Sequence, residues 1–135
     1  MSKTISEIEG IGPAYKEKLN GAGIKTVEAL LEKGCTKEGR KAICDTTGID
    51  GKSVLRWVNM ADLFRIKGVG EEYADLLEAA GVDTVKELRN RVPANLHAKM
   101  NEVNEAKNLV RSAPSLSNVE SWVDHAKTLD PMVSH

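Results

Sequence analysis

The sequence predicts an all-α fold. Three observations carry that expectation: apolar residues recur at helical spacing, capping residues punctuate the chain at short intervals, and one glycine-bearing helical unit occurs twice. No segment shows sustained alternation of β-branched residues, so a sheet is not expected. Aromatics make up 4% of the chain against 41% for all apolar residues, so the core must be built mainly from Ala, Val, Leu and Ile.

Taken in order, the first unit is "IEGIGPAYKEKLNGAGIKTVEAL" at 8–30. Gly10 and Gly12 flank Ile11 in a tight hairpin, because glycine reaches conformations barred to other residues. Pro13 suits the first turn of the helix that follows, where its missing N–H is not needed. Tyr15, Leu19 and Ala22 then sit at helical spacing until Gly23 stops the helix, and Thr26 caps the next one. Asp50 is placed to cap a helix from about Gly51 to Phe64. Thr84 with Glu87, and Ser117 with Glu120, have the spacing of capping boxes. Pro93 opens a longer helix whose Leu96, Met100, Val103 and Val110 form an apolar stripe, and Asp130-Pro131 ends the last helix.

The repeat is the most informative feature. "IKGVGEEYADLLEAAGVDTVKEL" at 66–88 restates 8–30 with a displacement of 58, keeping Gly10/Gly68, Gly12/Gly70, Tyr15/Tyr73, Leu19/Leu77 and Gly23/Gly81. A fainter echo follows each copy, with Val54, Trp57, Val58 and Ala61 returning as Val119, Trp122, Val123 and Ala126. An internal duplication accounts for both. The expected organisation is a first unit over 3–63, a second over 64–130 and a C-terminal tail at 131–135. Trp57, Trp122, Tyr15, Leu19, Tyr73 and Leu77 are expected to be buried anchors.

Charge and cysteine content narrow the function classes. The net charge is −1 over 135 residues, so no strong overall field attracts nucleic acid or an anionic membrane. The average conceals a basic stretch at 33–67, where Lys33, Lys37, Arg40, Lys41, Lys52, Arg56, Arg65 and Lys67 face Glu38, Asp45, Asp50 and Asp62. The opening residues lack the apolar core of a signal peptide, and no apolar run is long enough for a bilayer. Cys35 and Cys44 make no disulfide framework and no CxxC pair, so a reduced, cytoplasmic setting without a metal is expected. Cys44 is expected to be a small buried helical residue.

Catalysis is not expected. His97, His125 and His135 fall on late segments away from either cysteine. The Gly-x-Gly turn lacks the strand and third glycine of a dinucleotide site, and no phosphate-loop lysine follows it. Neither a cofactor nor a small-molecule substrate is implied.

"IEGIGPAYKEKLNGAGI" and "IKGVGEEYADLLEAAGV" resemble the helix-hairpin-helix motif, apolar-x-Gly-apolar-Gly with a leucine seven residues after the second glycine, here Leu19 and Leu77. The motif's usual alanine is present at Ala74 and replaced by Lys16 in the first copy. Roughly residues 3 to 130 resemble a family of paired helix-hairpin-helix units catalogued as a domain of unknown function, number 4332. That resemblance implies architecture and leaves activity open.

The helix-hairpin-helix resemblance implies what the hairpin would do. In helix-hairpin-helix proteins the turn offers backbone amides at a helix N-terminus to a nucleic-acid phosphate, favoured by the macrodipole and blind to base sequence. The residues so implicated are Gly10, Ile11 and Gly12 with Lys16 and Lys18. A second candidate surface, "RKAICDTTGIDGKSVLRWV" at 40–58, adds Lys52 and Arg56, either as a degenerate partner hairpin or as a weak helix-turn-helix. At the second hairpin, Gly68-Val69-Gly70, the following Glu71 and Glu72 would repel a phosphate, so that copy is expected to be structural. The expected partner is a DNA or RNA backbone, held weakly and salt-sensitively. The alternative is a protein-interaction or assembly module in which both hairpins are purely structural.

Overall fold

A computed structural model of the chain describes residues 4–8 and 10–134. Among them lie a single 3-10 turn, Ile5–Glu7, and eight α-helices: α1 (Pro13–Gly21), α2 (Val27–Gly34), α3 (Lys37–Thr47), α4 (Gly51–Leu63), α5 (Glu71–Ala79), α6 (Val85–Leu88), α7 (Pro93–Lys107) and α8 (Leu116–Lys127). The extended backbone among the described residues is limited to an isolated bridge between Thr4 and Thr26. The fold is all-α.

The chain divides into two compact units, Met1–Asp62 with Met132–His135, and Leu63–Pro131. In the first, α1 and α2 pack on α3 and on the 3-10 turn, around Ile5, Ile8, Leu19, Ile24 and Leu30. In the second, α7 lies against α5 and α8, and α6 against α8, around Leu77, Leu88, Leu96 and Met100.

Several helix starts follow from local chemistry. The Thr26 hydroxyl accepts from the Ala29 amide at 3.0 Å, and the Thr84 hydroxyl from the Glu87 amide at 3.4 Å. Asp50 accepts from the Ser53 amide at 3.0 Å and from its hydroxyl at 2.9 Å. Each satisfies a donor that the helix itself cannot. A cap not foreseen, Thr36, accepts from the Gly39 amide and starts α3.

Several expectations are corrected. The capping box of α8 is formed by Ser115 and Asn118, not by Ser117 and Glu120. Val110 is buried but lies beyond α7, which ends at Lys107 with Asn108 in the left-handed region; Asn104 bonds both the amide and the carbonyl of Val110 and holds the turn. Tyr15 is 37% exposed and Tyr73 half-buried rather than buried anchors, whereas Trp57, Trp122, Leu19 and Leu77 are buried.

Two glycines matter for packing in the first unit. A Cβ on Gly34 would come within 2.5 Å of the Val58 side chain on α4, and one on Gly39 would overlap the Lys33 carbonyl. The first replacement would force α2 away from α4, and the second would force α3 away from the end of α2.

The C-terminal residues are held on the α2–α3 corner. The Ser134 amide donates to the Cys35 carbonyl at 2.8 Å, and the Ser134 carbonyl accepts from Arg40 Nη2. Arg40, one of the cations of the basic stretch at 33–67, is buried. Cys44, expected to be buried, is on α3 but only half-buried; burial raises its thiol pKa, and the nearby carboxylates of Asp45 and Asp50 add to the effect.

Candidate nucleic-acid interface

The two glycine turns have matching geometry. Gly10 has φ +96° and Gly68 φ +92°, a region where a side chain is strained. The Ile11 amide donates to the Ile8 carbonyl at 3.2 Å, and the Val69 amide to the Ile66 carbonyl at 3.1 Å. A Cβ on Gly10 would lie 3.2 Å from Trp57 Nε1, and one on Gly68 would lie 3.2 Å from Trp122 Nε1. Each Trp also meets a Tyr at a ring-centroid separation of 5.1 Å, Tyr15 in one unit and Tyr73 in the other.

Gly12 and Gly70 are different. Both are N-caps in ordinary extended conformation, with φ −82° and −103°, and neither helix start has a side-chain cap. A Cβ at either would meet no atom within 4 Å. The sequence reading, which assigned unusual backbone freedom to both glycines of the hairpin, therefore holds for Gly10 and not for Gly12. Internal packing does not demand glycine at position 12. Its lack of a side chain keeps the start of α1 open.

Electrostatics separates the copies. The first turn of α1 carries no acidic residue, while that of α5 carries Glu71 and Glu72. Arg56 on α4 reaches the first turn: its Nη1 lies 3.1 Å from where a Gly10 Cβ would be. Under the 65-residue displacement of the Trp-Val helices, Arg56 corresponds to Ser121 and Lys52 to Ser117, so the second unit has neither cation.

The structure thus joins two surfaces that the sequence left separate, the hairpin and the residue-40–58 segment, through Arg56. Lys16 and Lys18 are exposed on α1, two residues apart and hence on different faces. Lys18 lies over the Tyr15 ring at 5.8 Å. Lys52 is exposed in the first turn of α4. Tyr73, by contrast, is half-buried, and its hydroxyl donates to the Ser112 carbonyl at 3.1 Å.

Sequence reasoning treated Tyr15 as core and so missed it as a surface group at the turn. Among the described residues no group of three metal-ligating side chains gathers, and no helix is long and apolar enough to cross a membrane.

The fold and the site define an all-helical protein with an open, uncapped helix start beside an arginine. The chain belongs to the family described as Domain of unknown function (DUF4332), which matches residues 9–129. No curated protein and no solved structure has significant similarity to it.

Proposed function

We propose that the chain is a non-enzymatic, tandem helix-hairpin-helix module that binds nucleic-acid backbones without regard to sequence, through its first unit. The duplication is supported by the matched glycine turns, their Trp supports and their Tyr–Trp contacts. The observation that carries the binding reading is the start of α1: Gly12 is exposed, has no side-chain cap, no acid in the following turn, and Arg56 beside the turn.

Amides at a helix start lack intrahelical partners and sit at the positive end of the macrodipole, which favours a phosphate oxygen. Removing the Cβ at position 12 lets that oxygen approach. Arg56, Lys16, Lys18 and Lys52 supply further positive charge to neighbouring phosphates. None of these groups reads a base edge, so affinity depends on salt and not on sequence. At the second hairpin Glu71 and Glu72 already provide the negative charge that the α5 dipole favours, and that unit serves the fold.

Fluorescence anisotropy of the intact chain with labelled duplex and single-stranded DNA at 50 mM salt tests the reading. Binding that Lys16→Glu with Lys52→Glu abolishes equally for every sequence is expected. Absence of binding at tens of micromolar protein would leave the assembly reading as the better account.

A further inference from the structure

We propose that the pocket between α3 and α4 of the first unit binds a small amphipathic anion, a negatively charged head on an apolar body. The proposal is independent of the hairpin and its phosphates. The pocket has a volume of about 550 Å³ and is lined by Lys37, Arg40, Lys41, Cys44, Gly51 and Leu55. That is within the usual size range of small-molecule sites, about 300–1,000 Å³.

Arg40 is the reason to expect a charged occupant. It is only 8% exposed, yet its two recorded partners are neutral carbonyls: Nη1 donates to Gly34 at 2.9 Å and Nη2 to Ser134 at 2.6 Å. No carboxylate faces it among the described residues. Buried charges are ordinarily met by opposite charge, because the desolvation cost is otherwise uncompensated. Lys37 and Lys41 stand exposed one turn apart on the same stripe of α3, Lys37 one turn before Arg40 and Lys41 next to it in sequence.

The rest of the lining calls for an apolar body. The Leu55 side chain lines the pocket from α4 together with Gly51, and the half-buried Cys44 continues the α3 stripe one turn beyond Lys41. Charge also sets the direction of the ligand. The carboxylates of Asp45 and Asp50 lie near enough to Cys44 to help hold its thiol protonated, after burial itself. They would repel an anion there. The head therefore belongs at the Lys37–Arg40–Lys41 end and the tail at the Cys44–Leu55 end.

Isothermal titration of the intact chain with decanoate below its micellar range tests this, with decanol and acetate as probes for the tail alone and the head alone. Saturable one-site binding of decanoate is expected, with decanol and acetate each at least about tenfold weaker, the order that two exposed ion pairs supply. Lys37→Gln with Lys41→Gln, both exposed positions, should weaken decanoate about tenfold at an unchanged circular dichroism spectrum. In Cys35→Ser protein, decanoate should slow alkylation of Cys44 by iodoacetamide. The proposal is overturned if decanoate fails to saturate by about 1 mM, the weak end of specific binding. It is equally overturned if decanol binds as tightly as decanoate, or if the lysine double variant binds decanoate as the parent does.

Discussion

Trp57 stands directly behind Gly10: its indole Nε1 would lie 3.2 Å from a Cβ placed there, and the glycine holds φ +96°. Two independent constraints thus fall on one residue. Gly12, two positions on, is under neither. Gly10→Ala is expected to lower unfolding free energy by about 1–2 kcal/mol, the cost of a left-handed residue with a side chain. Gly12→Ala should be close to neutral, because a less favourable N-cap is offset by reduced freedom in the unfolded chain. Urea denaturation distinguishes the two, and equal losses would mean that Gly12 has a packing role.

If Gly12 serves phosphate approach, Gly12→Ala should weaken DNA binding while leaving stability alone. With about four phosphates neutralised, the slope of log affinity against log salt should be roughly −3.6, and affinity should fall about a hundredfold from 50 to 200 mM salt. Glu71→Lys with Glu72→Lys should strengthen binding by opening a second anion site at the start of α5. Anisotropy titrations at several salt concentrations read all three effects, and a flat salt dependence would exclude phosphate contacts.

Leu19 and Leu77 occupy equivalent places and both are fully buried. Leu19→Ala and Leu77→Ala should each cost about 2–5 kcal/mol, through lost transfer energy and the cavity left behind. Chemical denaturation that showed no loss for both would contradict the cores described above.

Gly39 cannot accept a side chain without moving the Lys33 backbone, which is not the flexible end of anything. Gly39→Ala should destabilise by about 1–3 kcal/mol, the usual range for overpacking. Gly21, at the end of α1 with open space around it, is the contrast: Gly21→Ala should be neutral or stabilise by up to about 1 kcal/mol. Thermal melts of the two variants should move in opposite directions or differ clearly in size.

Asp50 gives the fold a pH-dependent cap. Hydrogen bonds from the Ser53 amide and then its hydroxyl hold the Asp50 carboxyl below the ordinary aspartate value. A depressed folded-state pKa means that the unfolded chain binds the proton more readily. The cap's ionic contribution is therefore present above the unfolded pKa and lost as pH falls through the folded one. Asp50→Asn retains a capping oxygen but cannot titrate. The melting temperature of the parent should exceed that of the variant at neutral pH, and the gap should close on acidification.

Much of this was legible in the chain because the relevant physics is local. Thr26, Asp50 and Thr84 cap helices through a hydroxyl or carboxylate three residues from the amide they serve, a relation visible in any sequence. The α8 cap was also within reach. The 65-residue displacement that pairs Trp57 with Trp122 carries Asp50 and Ser53 onto Ser115 and Asn118, which is where the box forms. At the candidate site, the glycine turn and the difference between Pro13-Ala14 and Glu71-Glu72 could be read directly.

What local pattern could not reveal was which distant groups would meet. Arg56 lies 46 residues from Gly10 in sequence yet reaches it in space, and Arg40 is buried through a bond to Ser134 across 94 residues. Helical periodicity states which face of a helix is apolar, but not what comes to cover a charged residue at its edge. Tyr15 shows the same limit. Its spacing from Leu19 is identical to that of Tyr73 from Leu77, yet the Tyr73 hydroxyl is tied to the distant Ser112 carbonyl while Tyr15 is 37% exposed. The sequence by itself determined the helices, their caps and the glycine turns, since each depends on neighbours within a few residues. Tertiary structure decided the charge beside the turn, the burial of Arg40 and the exposure of Tyr15, since each depends on where separate helices pack.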